Sequence, residues 1–273
     1  MKKWAKVWLI AGVGCCVCGA AMMGIGAVSG GSKYVKEADL NRLDGNARKA
    51  DHDTYLEKTK IDDFDAVDIR LGSMNLQVET SGDDSCYIAY RAESVKGKNP
   101  VHYQVQDGTL KIEETDNEKN SYFHVDIGFL SELLGDGALA TDENVITLYV
   151  PESKIWTKAD ITTDMGDVLL NGCQITTGNI TSDSGDIYFK GCDFQKMQMV
   201  SDMGDVSIIG QKKAIRAWNI QINTDIGDVH VDNVLGGRMM EDEDDMTSSY
   251  IKEGKGGSLQ IQTDSGDVSL ECR

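Results

Sequence analysis

Motifs for catalysis and metal binding are scarce in this sequence. Its seven cysteines include no Cys-x-x-Cys pair that is matched by a second pair or by spaced histidines, so no zinc-site pattern is present. The chain also contains no Gly-x-Ser-x-Gly segment, no Walker loop and no His-Glu-x-x-His segment. We therefore predict a non-enzymatic protein with no catalytic residue, no cofactor and no small-molecule substrate.

Proline and basic residues are also few. Only two prolines accompany 29 glycines, which is typical of a regular fold with many turns. The chain has 27 Lys and Arg residues against 45 Asp and Glu residues, and its net charge is −18. Because nucleic acids are themselves strongly negative, such a surface repels them, and no nucleic-acid partner is predicted.

The first 31 residues differ from the rest because they carry only positive charge. Lys2, Lys3 and Lys6 precede an uncharged run from Val7 to Val28, and ~20 apolar residues suffice to span a bilayer. Residues 1–31 are predicted to be a single-pass membrane anchor. Because basic residues stay on the cytoplasmic side, we expect the C-terminal domain to be extracytoplasmic, attached at the cell membrane.

Two alternatives to the anchor remain open. Ala27-Val28-Ser29 offers the small residues of a signal-peptide cleavage site, although a secretory apolar region is usually only ~7–15 residues long. Lipidation of Cys15, Cys16 or Cys18 is the other alternative, although no leucine stands three residues before any of them.

The remainder of the chain divides by its pattern of apolar residues. Residues 32–62 are polar without period-2 alternation, and we predict a linker there, with a juxtamembrane helix as the alternative. Residues 63–150 alternate as half-buried strands do, with Asp107-Gly108 as a hairpin turn, and predict an antiparallel β part. Residues 151–273 contain a repeat.

One apolar stretch, residues 121–140, does not fit the strand pattern. A short helix or loop that covers the open end of the β core is one interpretation, because exposed apolar patches are uncommon. The other is a docking surface for a partner or for the membrane.

A six-residue turn of the form Thr/Ser-Asp-x-Gly-Asp-Val/Ile recurs five times. Its glycines are Gly166, Gly185, Gly204, Gly227 and Gly266, at steps of 19, 19, 23 and 39 residues. Apolar residues flank each turn at period 2, so each repeat predicts two strands joined by one turn. The glycine is expected to adopt a positive φ, which a Cβ would penalise by ~1–2 kcal/mol.

A repeat of this length cannot bury its apolar face alone. We therefore predict an all-β protein, a parallel β-helix or solenoid of ~20-residue rungs with an antiparallel β N-terminal part, preceded by one transmembrane helix. Val67–Val78 fits as a degenerate first rung. The longest step is explained by an inserted, solvated acidic loop, Gly236–Gly257, which leaves the Gly266 rung at the end of the stack.

These motifs together resemble the bacterial putative-adhesin domain family, a group of β-helical envelope proteins. The resemblance covers about residues 62–273 and rests on the strand Val67–Val78, the Asp107–Ile112 hairpin, the segment Ile146–Pro151 and all five turns. It implies a membrane-attached or surface protein, often linked to envelope stress systems in Gram-positive bacteria, with no known catalytic residues.

The predicted function is a membrane-anchored extracytoplasmic module that acts by protein–protein or surface contacts, in adhesion or in envelope-stress sensing. Its partners are the membrane, through the N-terminal helix, and an unidentified envelope protein. The alternative is a carbohydrate-active enzyme on the same scaffold, because such enzymes need two carboxyls at a set separation rather than a sequence signature.

Stacked turns would place ten aspartates in two columns. Carboxylates ~4.8 Å apart repel by about 1 kcal/mol per pair in water, so this repulsion must be offset. Hydrogen bonds from backbone N–H groups of the same turn, aided by the preceding Thr or Ser, are one hypothesis. The other is Ca²⁺. Its candidate ligands are Asp164, Asp167, Asp183, Asp186, Asp202 and Asp205.

Cys173 and Cys192 occupy the same position in adjacent rungs. Their Cα atoms are expected within the ~4.4–6.8 Å that a disulfide accepts, but stacked positions often give poor Cβ geometry. A disulfide and a buried pair of free thiols both remain open. Cys86 and Cys272 have no evident partner.

Overall fold

The computed structural model describes residues 53–93, 98–115, 144–242 and 246–272. Within these ranges the chain is all-β apart from one short α-helix and one 3-10 helix. In the same ranges no helix is long and apolar enough to cross a membrane. The predicted anchor, residues 1–31, and the apolar stretch, residues 121–140, lie outside the described residues.

The strands before the repeats belong to the N-terminal β part. They are β1 (Asp53–Ile61), β2 (Ala66–Leu71), β3 (Asn75–Thr80), β4 (Cys86–Glu93), β5 (Val101–Gln106), β6 (Thr109–Glu114) and β7 (Val145–Val150).

The repeat region follows. Its first elements are β8 (Ile155–Thr163), β9 (Val168–Asn171), β10 (Gln174–Ser182), β11 (Ile187–Lys190), β12 (Asp193–Met203), β13 (Val206–Gly210), α1 (Lys212–Ala217), β14 (Asn219–Ile226) and β15 (Val229–Val231). A 3-10 helix (Asn233–Leu235) then precedes β16 (Arg238–Asp242), β17 (Thr247–Lys252), β18 (Ser258–Ser265) and β19 (Val268–Cys272).

Each repeat contributes one strand to each of two sheets. Among the described residues the sheet orders are β1-β4-β7-β3-β9-β11-β13-β19-β15 and β16-β17-β14-β18-β12-β10-β8-β2-β6-β5. Repeat strands pair in parallel with their neighbours, so the rungs form a solenoid-like stack. The predicted rung at Val67–Val78 is confirmed, because β2 pairs with β8 and β3 with β9.

The interior of the stack is filled by columns of aliphatic side chains. One residue per rung occupies the same inward position in one sheet, and each is at most 1% exposed: Ile69, Ile161, Ile180, Met199, Ile261 and Ile222. Full burial of one such side chain contributes ~1.5–3 kcal/mol, so a rung is stable only between neighbours that cover it.

The spatial order of the rungs differs from their order in the chain. β18 pairs in parallel with β12 on one side and β14 on the other, and β19 lies likewise between β13 and β15. The C-terminal rung, residues 258–272, is therefore inserted between the third and fourth repeats. The predicted end position of the Gly266 rung is wrong, because the Gly227 rung is the last of the five.

Two connections cross at the point of insertion. Residues 211–218, which contain α1, pass the inserted rung to reach β14, and residues 253–257 return from β17 to β18. The backbones touch there, since the N–H of Gly256 donates to the carbonyl of Ala217 at 2.6 Å. A Cβ on Gly254 would lie within 3.0 Å of the carbonyl oxygens of Ala217 and Trp218. A glycine is needed for this close approach.

The insert predicted as a solvated loop, Gly236–Gly257, is instead a hairpin that covers the end of the stack. β16 pairs antiparallel with β17, and β17 pairs antiparallel with β14. Tyr250 is only 3% exposed, and its hydroxyl donates to the carbonyl of Gly236 at 2.5 Å. The hairpin forms because it buries apolar side chains such as Tyr250 and Met239. The acidic residues at its centre make this hard to recognise from the sequence.

The linker predicted over residues 32–62 is wrong at its C-terminal end. β1 pairs antiparallel with β4 and packs Leu56 and Ile61 against the core. A register shift between Leu56 and Thr59 takes these residues out of period-2 alternation, which explains why the pattern appears irregular.

The N-terminal β part combines antiparallel and parallel pairing. The predicted Asp107-Gly108 hairpin is confirmed, with φ of 51° and 72° at the two residues, between antiparallel β5 and β6. β6 and β7, however, pair in parallel with β2 and β3 and add a further rung to the stack. The prediction of an antiparallel N-terminal part is therefore only partly right, because residues 63–150 also contain parallel strand pairs.

Candidate functional site

The repeated turns line one edge of the stack, which we call the turn edge. It starts at the turn Gly72–Asn75 and continues, in spatial order, through the turns of Gly166, Gly185, Gly204, Gly266 and Gly227. Neighbouring turns are one rung apart, ~4.8 Å. Any side chain at a fixed turn position therefore recurs along this edge.

The repeat glycines are required because neighbouring turns approach closely. A Cβ on any of the five would lie within 3.0 Å of a carbonyl oxygen in the preceding rung. Only Gly204 and Gly227 have a positive φ, at 155° and 147°. The prediction of a positive φ is wrong at the other three, where the absent Cβ makes room for the neighbouring backbone.

In four of the five repeat turns, the second aspartate bonds to the next turn along the edge. The carboxylate of Asp167 accepts from the backbone N–H of Asp186 at 2.9 Å, and that of Asp186 accepts from Asp205 at 2.8 Å. The series continues from Asp205 to Asp267 and from Asp267 to Asp228, at 2.8 Å each. These charge-assisted hydrogen bonds offset the repulsion between stacked carboxylates.

Hydroxyl groups make hydrogen bonds within the turns of Gly166 and Gly185, whereas the buried Ser201 Oγ in the turn of Gly204 has no hydrogen-bond partner among the described residues. Thr163 Oγ1 accepts from the N–H of Gly166 at 2.9 Å and donates to its carbonyl at 3.0 Å. Ser182 bonds to Gly185 in the same way, at 2.8 and 2.9 Å. In these two turns the hydroxyl therefore closes its own turn, while the second aspartate joins that turn to its neighbour.

The six candidate calcium ligands fall into two environments. The first aspartates, Asp164, Asp183 and Asp202, are exposed, whereas the second aspartates lie against backbone N–H groups. In the described part of the chain, no group of three or more His, Cys, Asp or Glu side chains is arranged to hold a metal ion. Calcium binding by these residues, the alternative to hydrogen bonding within the turns, stays an untested hypothesis.

Glu114 is an acceptor on the turn edge that sequence reasoning missed. Its Oε2 accepts from the N–H groups of Gly72, Ser73 and Met74 at 2.7, 2.9 and 3.1 Å. A glutamate at the end of β6 gives no sequence signal for this role, because the turn it closes precedes it by about 40 residues.

Exposed apolar side chains occupy the middle position of alternate turns. Met165, Met203 and Ile226 are 52%, 60% and 51% exposed, and we call them the apolar ridge. Ser184 and Ser265 hold the same position in the turns between them. The ridge residues are therefore ~10 Å apart, and an aspartate precedes each of them. The chain order hides this alternation, because Ile226 precedes Ser265.

The family of the chain follows from comparison with known proteins. Residues 64–273 match the family model described as Toastrack DUF4097. The chain belongs to the Toastrack DUF4097 family. The predicted resemblance to the putative-adhesin domain family is thereby confirmed. No curated protein matches the Toastrack chain.

Two solved structures illustrate the similarity to the Toastrack chain. A putative cell adhesion protein from Clostridium sporogenes is 12% identical with a TM-score of 0.50, and the match covers 81% of this chain and 99% of that one. A putative adhesin from Bacteroides fragilis is 11% identical with a TM-score of 0.36, over 81% and 98% of the two chains. At such identity the first structure shows a shared fold alone.

The cysteines of the Toastrack domain are free thiols. Cys173 and Cys192 are 3% and 5% exposed, and the N–H of Cys173 donates to Cys192 Sγ at 3.3 Å. A hydrogen bond with Cys192 and burial raise the pKa of Cys173. In the structure Cys173 and Cys192 are therefore a buried pair of free thiols and not a disulfide. Burial likewise raises the pKa of Cys86 to about 11, and neither Cys86 nor Cys272 is in a disulfide.

Proposed function

We propose that this Toastrack protein is a membrane-anchored, extracytoplasmic module that binds a protein of the cell envelope through its turn edge, without catalysis. The apolar ridge is the observation that carries the proposal. Met165, Met203 and Ile226 are each more than half exposed, and the same position in the other two repeat turns is serine.

The spacing of the ridge suits an extended contact with another protein. Three apolar side chains ~10 Å apart span about 20 Å along a rigid edge, which is comparable to one face of a short helix or strand. Methionine adapts its shape to a partner at low cost. Covering these side chains would recover burial energy of ~25 cal/mol for each Å² of apolar surface.

The charge around the ridge indicates the complementary surface. Each ridge residue follows an exposed aspartate, Asp164 for Met165 and Asp202 for Met203. A partner with apolar side chains interspersed with lysine or arginine would fit this pattern, because unlike charges steer and orient the contact.

The N-terminal sequence supports the proposed location. Lys2, Lys3 and Lys6 before the apolar run Val7–Val28 favour an anchor with the domain on the outer side of the membrane. Adhesion and envelope-stress sensing both need a protein contact outside the cytoplasm. Either role is consistent with the fold that the chain shares with a solved protein named as a putative cell adhesion protein.

The test uses serine, which the chain itself places in the turns between the ridge residues. We expect the triple variant Met165→Ser, Met203→Ser and Ile226→Ser to melt at the same temperature as the native protein, because these side chains are exposed. In its own cells, crosslinking of the anchored full-length variant to its envelope partner should fall at least tenfold.

Exposed apolar residues away from the turn edge provide the control. Tyr55 and Ile155 are 68% and 54% exposed, and the variant Tyr55→Ser with Ile155→Ser should crosslink as the native protein does. Undiminished crosslinking by the triple variant, or equal loss in both variants, would rule out the turn edge as the binding surface.

A further inference from the structure

The end of the stack formed by the β16–β17 hairpin carries a depression of ≈ 980 Å³ that is open to solvent, which we call the cap cavity. Three cationic side chains from three different elements line it: Arg216 of α1, Arg238 of β16 and Lys252 of β17. Ile251, Glu253 and residues 233–237 complete the lining. The cavity is separate from the turn edge.

Lys252 places a positive charge inside the protein. Its side chain belongs to a residue that is 7% exposed, and Nζ donates to the carbonyls of Ile215, Arg216 and Trp218 at 3.2, 2.7 and 2.8 Å. These oxygens satisfy the three ammonium protons but carry no formal negative charge. Burial and the nearby charge of Arg216 lower the pKa of Lys252, so its charge is not compensated there.

The two arginines increase this positive charge. Arg216 donates through Nε and Nη2 to the carbonyl of Val234 at 3.2 and 2.8 Å, again a neutral acceptor. Arg238 is exposed at the start of β16. Within the described ranges, the ion pairs shorter than 4.0 Å involve other cations, and no carboxylate pairs with Arg216, Arg238 or Lys252.

Structural roles explain only part of this arrangement. Lys252 and Arg216 tie the end of α1 and the 3-10 helix to the hairpin, but uncharged donors can also bond to carbonyl oxygens. A buried charge without a counter-charge is costly, and this one belongs to a chain of net charge −18. Arg238 makes none of these ties, yet it adds a third cation to the same cavity.

We propose that the cap cavity binds the phosphate group of an organic phosphate. Arginine guanidinium groups present paired N–H donors that match phosphate oxygens, and the exposed Arg238 lines the cavity. The volume falls within the ~300–1,000 Å³ typical of small-molecule sites and exceeds the need of a phosphate group alone. The depression therefore leaves room, beside Val234 and Ile251, for the organic group that carries the phosphate.

The test measures the melting temperature of the full-length chain in nonionic detergent with increasing glycerol phosphate, against sodium chloride at equal ionic strength. We expect a saturable rise with glycerol phosphate, because a ligand that binds only the folded state stabilises it. Phosphate also stabilises proteins without binding to a site, so the variants show whether the rise in melting temperature comes from binding in the cap cavity. Arg238→Gln should weaken the apparent affinity at least tenfold and leave the melting temperature in chloride unchanged.

Lys190→Gln is the matched control, because it removes the same charge from an exposed residue of β11, which lies far from the cap in the stacking order. It should bind glycerol phosphate as the native protein does. Equal melting temperatures in glycerol phosphate and chloride would overturn the proposal, as would an equal rise in the native and Arg238→Gln proteins.

Vesicles distinguish the two sources of the phosphate. If the ligand is a lipid headgroup, phosphatidylglycerol vesicles should compete with glycerol phosphate and phosphatidylcholine vesicles should not. If it is a soluble organic phosphate, neither kind of vesicle should compete. Competition by both kinds, undiminished in Arg238→Gln, would show attachment through the bilayer and contradict binding in the cavity.

Discussion

Replacing Gly185 with alanine is expected to destabilise the domain by about 3 kcal/mol. A Cβ at this position would lie within 3.0 Å of the carbonyl oxygen and carbon of Gly166 in the neighbouring rung. Both sides of this contact are backbone in the middle of a parallel stack, so neither can move without breaking ladder hydrogen bonds. Urea unfolding of the full-length chain would measure the loss.

Gly191 of the same rung separates this cause from backbone conformation. It has a φ of 63° and open space where a Cβ would stand, so Gly191→Ala costs only the strain of the left-handed region, roughly 1–2 kcal/mol. A smaller loss for Gly185→Ala than for Gly191→Ala would show that the repeat glycines serve conformation rather than close approach.

The second large effect is expected at Gly254, in a segment that the sequence presents as a solvated loop. A Cβ there would meet the carbonyl groups of Trp218 and Ala217, where the two connections cross. We expect Gly254→Ala to cost about 3 kcal/mol, because the clash separates the crossing backbones and weakens the hydrogen bond from Gly256 to Ala217.

Gly236 is the control for this substitution, because it belongs to the same insert and has a φ of 70°, with nothing within 4 Å of the place where a Cβ would stand. Gly236→Ala should lower the free energy of unfolding by roughly 1–2 kcal/mol. If Gly254→Ala proves as mild as Gly236→Ala in the same urea titration, the connections do not cross in contact.

The local features of the fold were predictable from sequence. Period-2 alternation around each Asp-x-Gly-Asp turn identified the paired strands, and Asp107-Gly108 identified its hairpin, because both depend on residues close in the chain. β1 was missed, since the register shift after Leu56 disrupts the alternation that identifies a strand.

The order of the rungs was not predictable for a physical reason. The turns at Gly227 and Gly266 both read Thr-Asp-x-Gly-Asp-Val, so either rung offers the third repeat the same register and the same close contact. Connections that cross at one edge of a sheet are rare, and local sequence gives no signal for them. The features that accompany the observed order lie elsewhere in the chain: the β16–β17 hairpin covers β14, and Gly254 lets the two connections approach.

The candidate sites follow from that order more than from any motif. The sequence correctly indicated columns of aspartates, but the bonds of Asp167 and Asp186 to the next rung depend on stacking distance. The alternation of the apolar ridge appears only when Ser265 is placed between Met203 and Ile226. The cap cavity gathers Arg216, Arg238 and Lys252 from elements that no sequence spacing connects.

Engineered disulfides test most directly whether the C-terminal rung lies between the third and fourth repeats. Ser207 Oγ and Ser269 Oγ lie 3.0 Å apart on neighbouring strands, whereas His230 lies one rung beyond Ser269. Ser207 and His230 are thus ~10 Å apart, beyond the ~7 Å between Cα atoms that a disulfide can bridge. After mild oxidation, peptide mapping should find a disulfide in Ser207→Cys with Ser269→Cys and none between these positions in Ser207→Cys with His230→Cys. A disulfide in the second protein and none in the first would show that the rungs stack in chain order.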